Sequence, residues 1–512
     1  MALLRPILRR CLLDLRRPLL VDDQRTWRGL EVLGGTYHLA ATIKQQTDRP
    51  HVGIMLPTSG AFAAALLATW QAGRVPVPLN YLLTPEDLRY VIEDAGLDCV
   101  LTAGKLLDHI GGDSVLPDGV NAVKLETLNF KGLPPVRWPA KPKDDDLALI
   151  LYTSGTSGKP KGVMLSHANL EANARGSIQH AGINHNTSFL GVLPQFHSFG
   201  VTVLTLMPLL LGAKVVYTAR FVPKKLTELI KEHRPNIFVG VPSMYGALLA
   251  VKGVTPEDWA SVNMPVVGGE PLPDAVRLGF AEKLNVHLLE GYGLTETAPV
   301  CHWATPTANK THSVGKPVPG VRHFIVDDNN HLLGPDEEGE ILLAGPNLMM
   351  GYYKLPELTD EVVFTLDVPG ESGKPEPLRV FRTGDIGKTD ADGFLYITGR
   401  KKEMLIIAGE NVFPREIEEV LNHCPGVGAS AVIGKQDDTR GEVPIAFVEP
   451  CRNVYPDCDA NPEGQGPDPT AVRQYAQQNL PAYKVPREVR VLNRLPRNPT
   501  GKILRRQLIE HL

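Results

Sequence analysis

The chain has 512 residues, 43% hydrophobic and 21% charged, and a net charge of −4 from 53 basic and 57 acidic side chains. That length exceeds what one core usually supports, so two or more domains are expected. The charge balance argues against bulk attraction to nucleic acid. The six cysteines (Cys11, Cys99, Cys301, Cys424, Cys451, Cys458) show no CxxC and no metal-ligand spacing, which fits free thiols in a reducing, cytoplasmic compartment.

At the N-terminus, Leu4, Ile7, Leu8, Cys11, Leu12 and Leu15 alternate with Arg5, Arg9, Arg10, Arg16 and Arg17. The stretch lacks the unbroken apolar core and cleavage site of a signal peptide. A basic amphipathic helix of this kind either packs on the scaffold with solvated arginines or touches an anionic membrane peripherally. The most apolar stretch, 201–213, contains Thr202, Thr205 and Pro208 and falls short of the roughly 18 residues a span needs, so no transmembrane helix is expected.

From His51 the chain reads as strand, loop and helix. A second apolar segment follows at 75–77, a helix candidate at 85–95 and a strand at 99–102, the alternation of parallel βαβ units. The apolar run 147–151 is of strand length. Behind it stand Thr153, Ser154, Gly155, Thr156, Ser157, Gly158, Lys159, Pro160, Lys161 and Gly162. Glycines let backbone N–H groups approach an anion, hydroxyls add donors and lysines add charge, so the loop suits phosphate oxygens. Pro160 stands where a Walker A loop needs glycine.

YTSGTSGKPKGV resembles the phosphate-loop signature of the AMP-forming acyl-activating superfamily, which includes acyl-CoA synthetases, peptide-synthetase adenylation domains and firefly luciferase. The resemblance covers residues 20–512, with every strong motif in order. It implies an α/β fold with a large N-terminal domain (1–401; parallel α/β sheets plus a β-rich part) and a small mobile α+β domain (402–512). In LPQFHSFG, His197 falls where the family forms its carboxylate pocket, and where amino-acid-activating members carry aspartate, so an amino acid substrate is disfavoured. Gly269 and Glu270 fall where the family lays adenine. EGYGLTETAPV matches a second signature, with Tyr292 and Gly293 at the adenine, Thr295 at the α-phosphate and Glu296 on Mg²⁺, aided by Thr153.

Farther on, 339–342 and 345–353 look like the family's late β-structure, and 368–377 reads as a surface loop. Asp385 is expected on the ribose hydroxyls, Arg400 on ribose or phosphate, and Lys402 at the domain hinge. Segments 404–408, 414–421 and 432–448 point to a small α/β unit, with 450–469 as a loop within it. Lys502, in LPRNPTGKI, is the expected adenylation lysine.

The resemblance implies ATP-dependent conversion of a carboxylic acid to acyl-AMP with release of pyrophosphate, then transfer to a thiol. QFHSFGVTVLTLMPLLLGA and EGYGLTETAPV look most like long-chain acyl-CoA synthetases and the synthetase module of bacterial acyl-acyl carrier protein synthetase/2-acylglycerophosphoethanolamine acyltransferases. A medium- or long-chain fatty acid is therefore expected, in a tunnel walled by 201–211. CoA is the expected acceptor, with acyl carrier protein second; the basic segment 484–506 would suit either. A non-catalytic nucleotide-binding relative would have lost Lys502, Glu296 or the loop lysines, and none is lost.

Overall fold

The computed structural model describes residues 3–135, 141–154, 159–370, 375–407, 410–437, 441–451, 467–497 and 501–512. Apolar runs of strand length alternating with helices near the start of the chain build a four-stranded parallel sheet. Its order is Val75–Pro78, His51–Met55, Cys99–Thr102, Asn121–Lys124. The helix that follows the second of these, Gly60–Gln71, is apolar almost all round and buried along nearly its whole length, as a helix enclosed by other layers must be. Ser59 caps it, accepting from Phe62 N–H.

A nine-stranded sheet carries the next part of the chain. Its strands from Leu289–Gly293 through Met264–Gly268, Ile237–Gly240, Ser188–Gly191 and Lys214–Tyr217 to Pro18–Val21 run parallel, with antiparallel strands at both edges. The helix Leu4–Leu13 sinks Leu4, Ile7, Leu8 and Cys11 into the core against Met207–Leu211 and Gly29–Gln46. Its apolar face is thus spent on the scaffold, and the expected alternative of a membrane face fails for those four side chains. Leu12 and Leu13 stay exposed. No helix among the described residues is long and apolar enough to cross a membrane.

The apolar stretch after His197 is helical, but it widens into a π-turn at Thr202–Leu206. Pro208 has no N–H to give the Leu204 carbonyl, and the Tyr217 hydroxyl donates to it instead at 2.6 Å. Thr205 donates to the Gly200 carbonyl at 3.0 Å and accepts from Gln195, whose own Oε1 receives Ser59 N–H.

The strand Leu147–Ser154 turns back as an antiparallel hairpin with Pro160–Ser166, which pairs in turn with Gly351–Tyr352. Residues 155–158 lie outside the described part. One expectation changes: the described ends of the stretch 368–377 are not loop, because strands Val363–Pro369 and Pro375–Thr389 pair there, within an antiparallel sheet that also holds Arg322–Val326, Gly339–Ala344 and Leu395–Arg400.

The small C-terminal domain has its own sheet, ordered Glu410–Val412, Leu405–Ile407, Gly441–Pro450, Val427–Asp437, with Glu488–Val491 parallel to Gly441–Pro450. Helices Pro414–Asn422 and Pro469–Asn479 close one core over it. Cys11, Cys99, Cys301 and Cys424 are free and buried, whereas Cys451 is disulfide-bonded, contrary to the expectation of free thiols throughout. Sequence spacing does not exclude a cross-link between cysteines that the fold brings together.

Candidate active site

A cavity of about 710 Å³ opens where the hairpin, the end of the strand Leu289–Gly293 and the small domain meet. Thr153 and Lys161 stand directly opposite each other across the hairpin, and both line it. Burial holds the Lys161 ammonium below its usual pKa, an effect opposed chiefly by Glu296. Its Nζ lies 4.4 Å over the ring of Tyr352.

Gly293 ends its strand with a close approach: a Cβ there would lie 2.0 Å from the Pro299 carbonyl. The turn Thr295–Thr297 then sets Thr295 and Glu296 on the wall. Thr297 ties the turn to Leu294, and the amides of Asn173 and Asn347 donate to its carbonyl at 3.1 and 2.8 Å. Thr295 shares a hydrogen bond with Ser198 at 3.2 Å, and Glu296 accepts from Tyr352 Oη at 2.8 Å.

Asp385 is 3% exposed, accepts from Tyr292 Oη at 2.6 Å and pairs with Arg400 Nε at 3.0 Å. Burial raises its pKa, and Arg400 is the main opposing influence. His197 is partly buried beside Phe196, with no hydrogen-bond partner for Nε2. Burial draws its pKa down to about 4, so the ring is neutral near pH 7.

The small domain contributes Lys502. Gly501, at φ +98°, packs so close to Ser243 that a Cβ would meet Ser243 Oγ at 2.6 Å, and the next residue is the lysine. Lys502 lines both this cavity and an adjoining one of about 290 Å³ beside Glu270, Glu290 and Asp385. Burial lowers its pKa, reinforced by Arg400 and opposed by Glu403 and Glu270. Arg505 holds the neighbourhood together through Glu403 at 3.1 Å and Glu418 at 2.7 Å.

The structure therefore gathers Thr153, Lys161, His197, Gly269, Tyr292, Gly293, Thr295, Glu296, Arg400, Lys402 and Lys502 around one cavity, with Glu270 and Asp385 next to it. Lys159 is not among them: it is exposed and lies over the Tyr90 ring at 4.9 Å. Gly155, Thr156, Ser157, Gly158 and the Ser154 side chain fall outside the described residues. Sequence reasoning missed Tyr352, Ser198 and Glu403. Tyr352 sat in a recognised motif, but nothing local said which carboxylate its hydroxyl would meet.

Chemically, Lys161, Arg400, Lys402 and Lys502 against Glu296 and Glu403 form a wall for a polyanion, with an apolar recess of Phe199, Val203, Val239 and Val266 at its side. Residues 16–353 match the AMP-binding enzyme family and residues 416–502 its C-terminal domain. The chain is 31% identical to the long-chain-fatty-acid–CoA ligase of Bacillus subtilis (strain 168), over 94% of this chain and 89% of that one. It is also 31% identical to feruloyl-CoA synthase of Amycolatopsis sp, over 91% and 90%. The solved o-succinylbenzoate coenzyme A synthetase (MenE) of Bacillus subtilis, in complex with ATP and magnesium ion, superposes with a TM-score of 0.83 at 28% identity, covering 98% of this chain and 99% of that one. The chain belongs to the AMP-binding enzyme family, and its motifs, its α/β fold and its smaller C-terminal domain are those of the AMP-forming acyl-activating superfamily.

Proposed function

We propose that this protein is an acid–CoA ligase that converts a carboxylic acid and ATP to acyl-AMP and pyrophosphate, then passes the acyl group to the thiol of CoA. The observation that carries this reading is the arrival of Lys502, from the small domain, in the cavity that holds Thr295, Glu296 and Lys161. A carboxylate oxygen attacks the α-phosphorus as pyrophosphate leaves. The thiol sulfur then attacks the acyl carbon as AMP leaves. No protein nucleophile is needed; positioning and charge stabilisation suffice.

Lys161 and Arg400 neutralise phosphate oxygens, Thr295 donates to the α-phosphate, and Lys502 spans the α-phosphate and the acid. His197, neutral and with an unpartnered nitrogen, meets the carboxyl end. Asp385 and Arg400 hold the ribose side, with Gly269, Glu270 and Tyr292 around the base. Glu296 suits Mg²⁺, with Thr153 nearby. No cluster of three or more potential ligands exists among the described residues, and Mg²⁺ typically takes one or two carboxylates and completes its shell with phosphate oxygens and water. Bound there, it neutralises polyphosphate charge.

The acid we favour is a medium- or long-chain fatty acid, supported by the apolar recess and by the similarity to a long-chain-fatty-acid–CoA ligase. The wall expected from 201–211 is supplied only by Val203, because Val201, Leu204, Leu206, Met207 and Leu209 pack into the core. We place the domain division at 401/402, with Lys402 as the hinge about which residues 402–512 turn between the two half-reactions.

The acceptor ranking, CoA before acyl carrier protein, gains from charge pairing. Lys484, Arg490, Arg497 and Arg505 each face a glutamate, which leaves Arg487, Arg494 and Arg506 as the exposed cations of that segment. Pyrophosphate release over a panel of acids, each with CoA and with carrier protein from low to physiological salt, tests the reading. Silence with every acid would refute it. Strongly salt-dependent turnover with carrier protein alone would reverse the ranking, since association steered by surface charge weakens as salt rises.

A further inference from the structure

The recess beside the polyanion wall is floored by two glycines in register. Gly268 pairs with Gly291, and Gly291 pairs with Trp303, so the three share one face of the nine-stranded sheet. Phe199 lies over that face, 3.4 Å from where a Gly268 Cβ would sit. Val266 and Val239, also in register, continue the same face deeper into the core. The absent side chains of Gly268 and Gly291 leave a slot with Phe199 at one side and Trp303 at the other.

Trp303 is 3% exposed, yet its indole nitrogen has no hydrogen-bond partner. An indole N–H only donates, and a buried donor ordinarily finds an acceptor. The residue is held firmly by its pairing with Gly291 and by His180 Nε2, 2.7 Å from its carbonyl. The remaining side chains named along the slot, Phe199, Val203, Val239 and Val266, offer neither an acceptor nor a charge.

We propose that Trp303 selects acids whose chain carries an uncharged acceptor oxygen, a hydroxyl or a ketone, that receives its indole N–H. This rests on the acid–CoA ligase reading and narrows its substrate. Lys316 stands in register with Trp303 on that face, its Nζ 4.9 Å over the Phe394 ring, while Phe199, Val203, Val239 and Val266 give a second carboxylate no counter-charge to offset its desolvation.

The test compares acids of one chain length, unsubstituted or bearing a hydroxyl or keto group at successive carbons, by kcat/KM for pyrophosphate release in wild type and in Trp303→Phe. At one position the oxygenated acid should exceed its plain counterpart by about 10-fold or more, the cost of leaving a buried donor unpaired. Trp303→Phe, which keeps a ring and loses the N–H, should bring that ratio close to one. A wild-type ratio near one at every position, or an unchanged ratio in the variant, overturns the proposal. The same pairs are titrated calorimetrically against wild type with AMP present. A binding preference without any turnover would sink the ligase reading and sustain this one; equal binding would do the reverse where turnover is seen.

Discussion

Tyr352 donates its phenolic hydrogen to Glu296 Oε1 across 2.8 Å, although the two residues are 56 positions apart in the chain. The same ring lies under Lys161 Nζ at 4.4 Å, so one tyrosine orders a carboxylate and an ammonium together. Tyr352→Phe keeps the cation–π contact and removes the hydrogen bond. The Mg²⁺ concentration for half-maximal pyrophosphate release should rise about 10-fold, as for loss of a residue that orients a metal ligand. An unchanged Mg²⁺ titration would separate Tyr352 from the metal.

Lys502→Ala should depress acyl-AMP formation by about 10²–10³, by analogy with removal of one charge-stabilising donor. Thioester formation from supplied acyl-AMP should be largely spared. Because burial holds the Lys502 ammonium below its ordinary value, adenylation should fall on the alkaline side at a lower pH than a solvated lysine would give. Lys502→Arg should move that limb upward. Equal damage to both half-reactions, or a limb that ignores the substitution, would remove Lys502 from its assigned role.

Lys402→Pro should give the opposite asymmetry. Proline fixes φ and restricts the residue before it, so a hinge needing two backbone states loses one. Acyl-AMP should accumulate while thioester formation stalls, which single-turnover measurements of each half-reaction would show. Survival of both steps places the hinge elsewhere.

Glu290 is 9% exposed beside the smaller cavity, and burial pushes its carboxyl up to about 7, against the pull of Arg415 and Arg277. Its folded pKa lies above its unfolded one, so the folded state binds the proton more tightly. Stability should therefore fall as pH rises from about 4.5 to about 7. Glu290→Gln should remove that fall, with little gain near pH 4.5 and up to about 3 kcal/mol above pH 7. Denaturant midpoints across that range would show a growing gap, and a constant gap would contradict the account.

On the N-terminal helix, Ile7→Ala should cost about 2–4 kcal/mol, because Ile7 is fully buried and its loss leaves a cavity. Leu13→Ala, 68% exposed, should stay within about 0.5 kcal/mol. Thermal unfolding compares the two. A neutral Ile7→Ala would mean that the helix is not part of the core.

Whatever short-range chemistry can write is already legible in the chain. The βαβ alternation from His51 to Thr102 is legible because burial on both faces demands apolar runs, and helices must cross between parallel strands. The glycine–hydroxyl–lysine loop, the Tyr292–Glu296 cluster and the terminal Gly501–Lys502 pair are legible because each concentrates unusual chemistry within a few residues. Tertiary structure alone decided the rest. Antiparallel return of the strand Pro160–Ser166 puts Lys161 opposite Thr153, whereas Lys159 lies out over Tyr90. Register across three strands places Trp303 beside two glycines from distant segments. The amphipathic N-terminal helix reads the same whether its apolar face meets lipid or protein, and only the surrounding packing chose protein. Pairings such as Tyr352 with Glu296, or Lys484 with Glu416, depend on which distant segments meet, and no local pattern of residues encodes that.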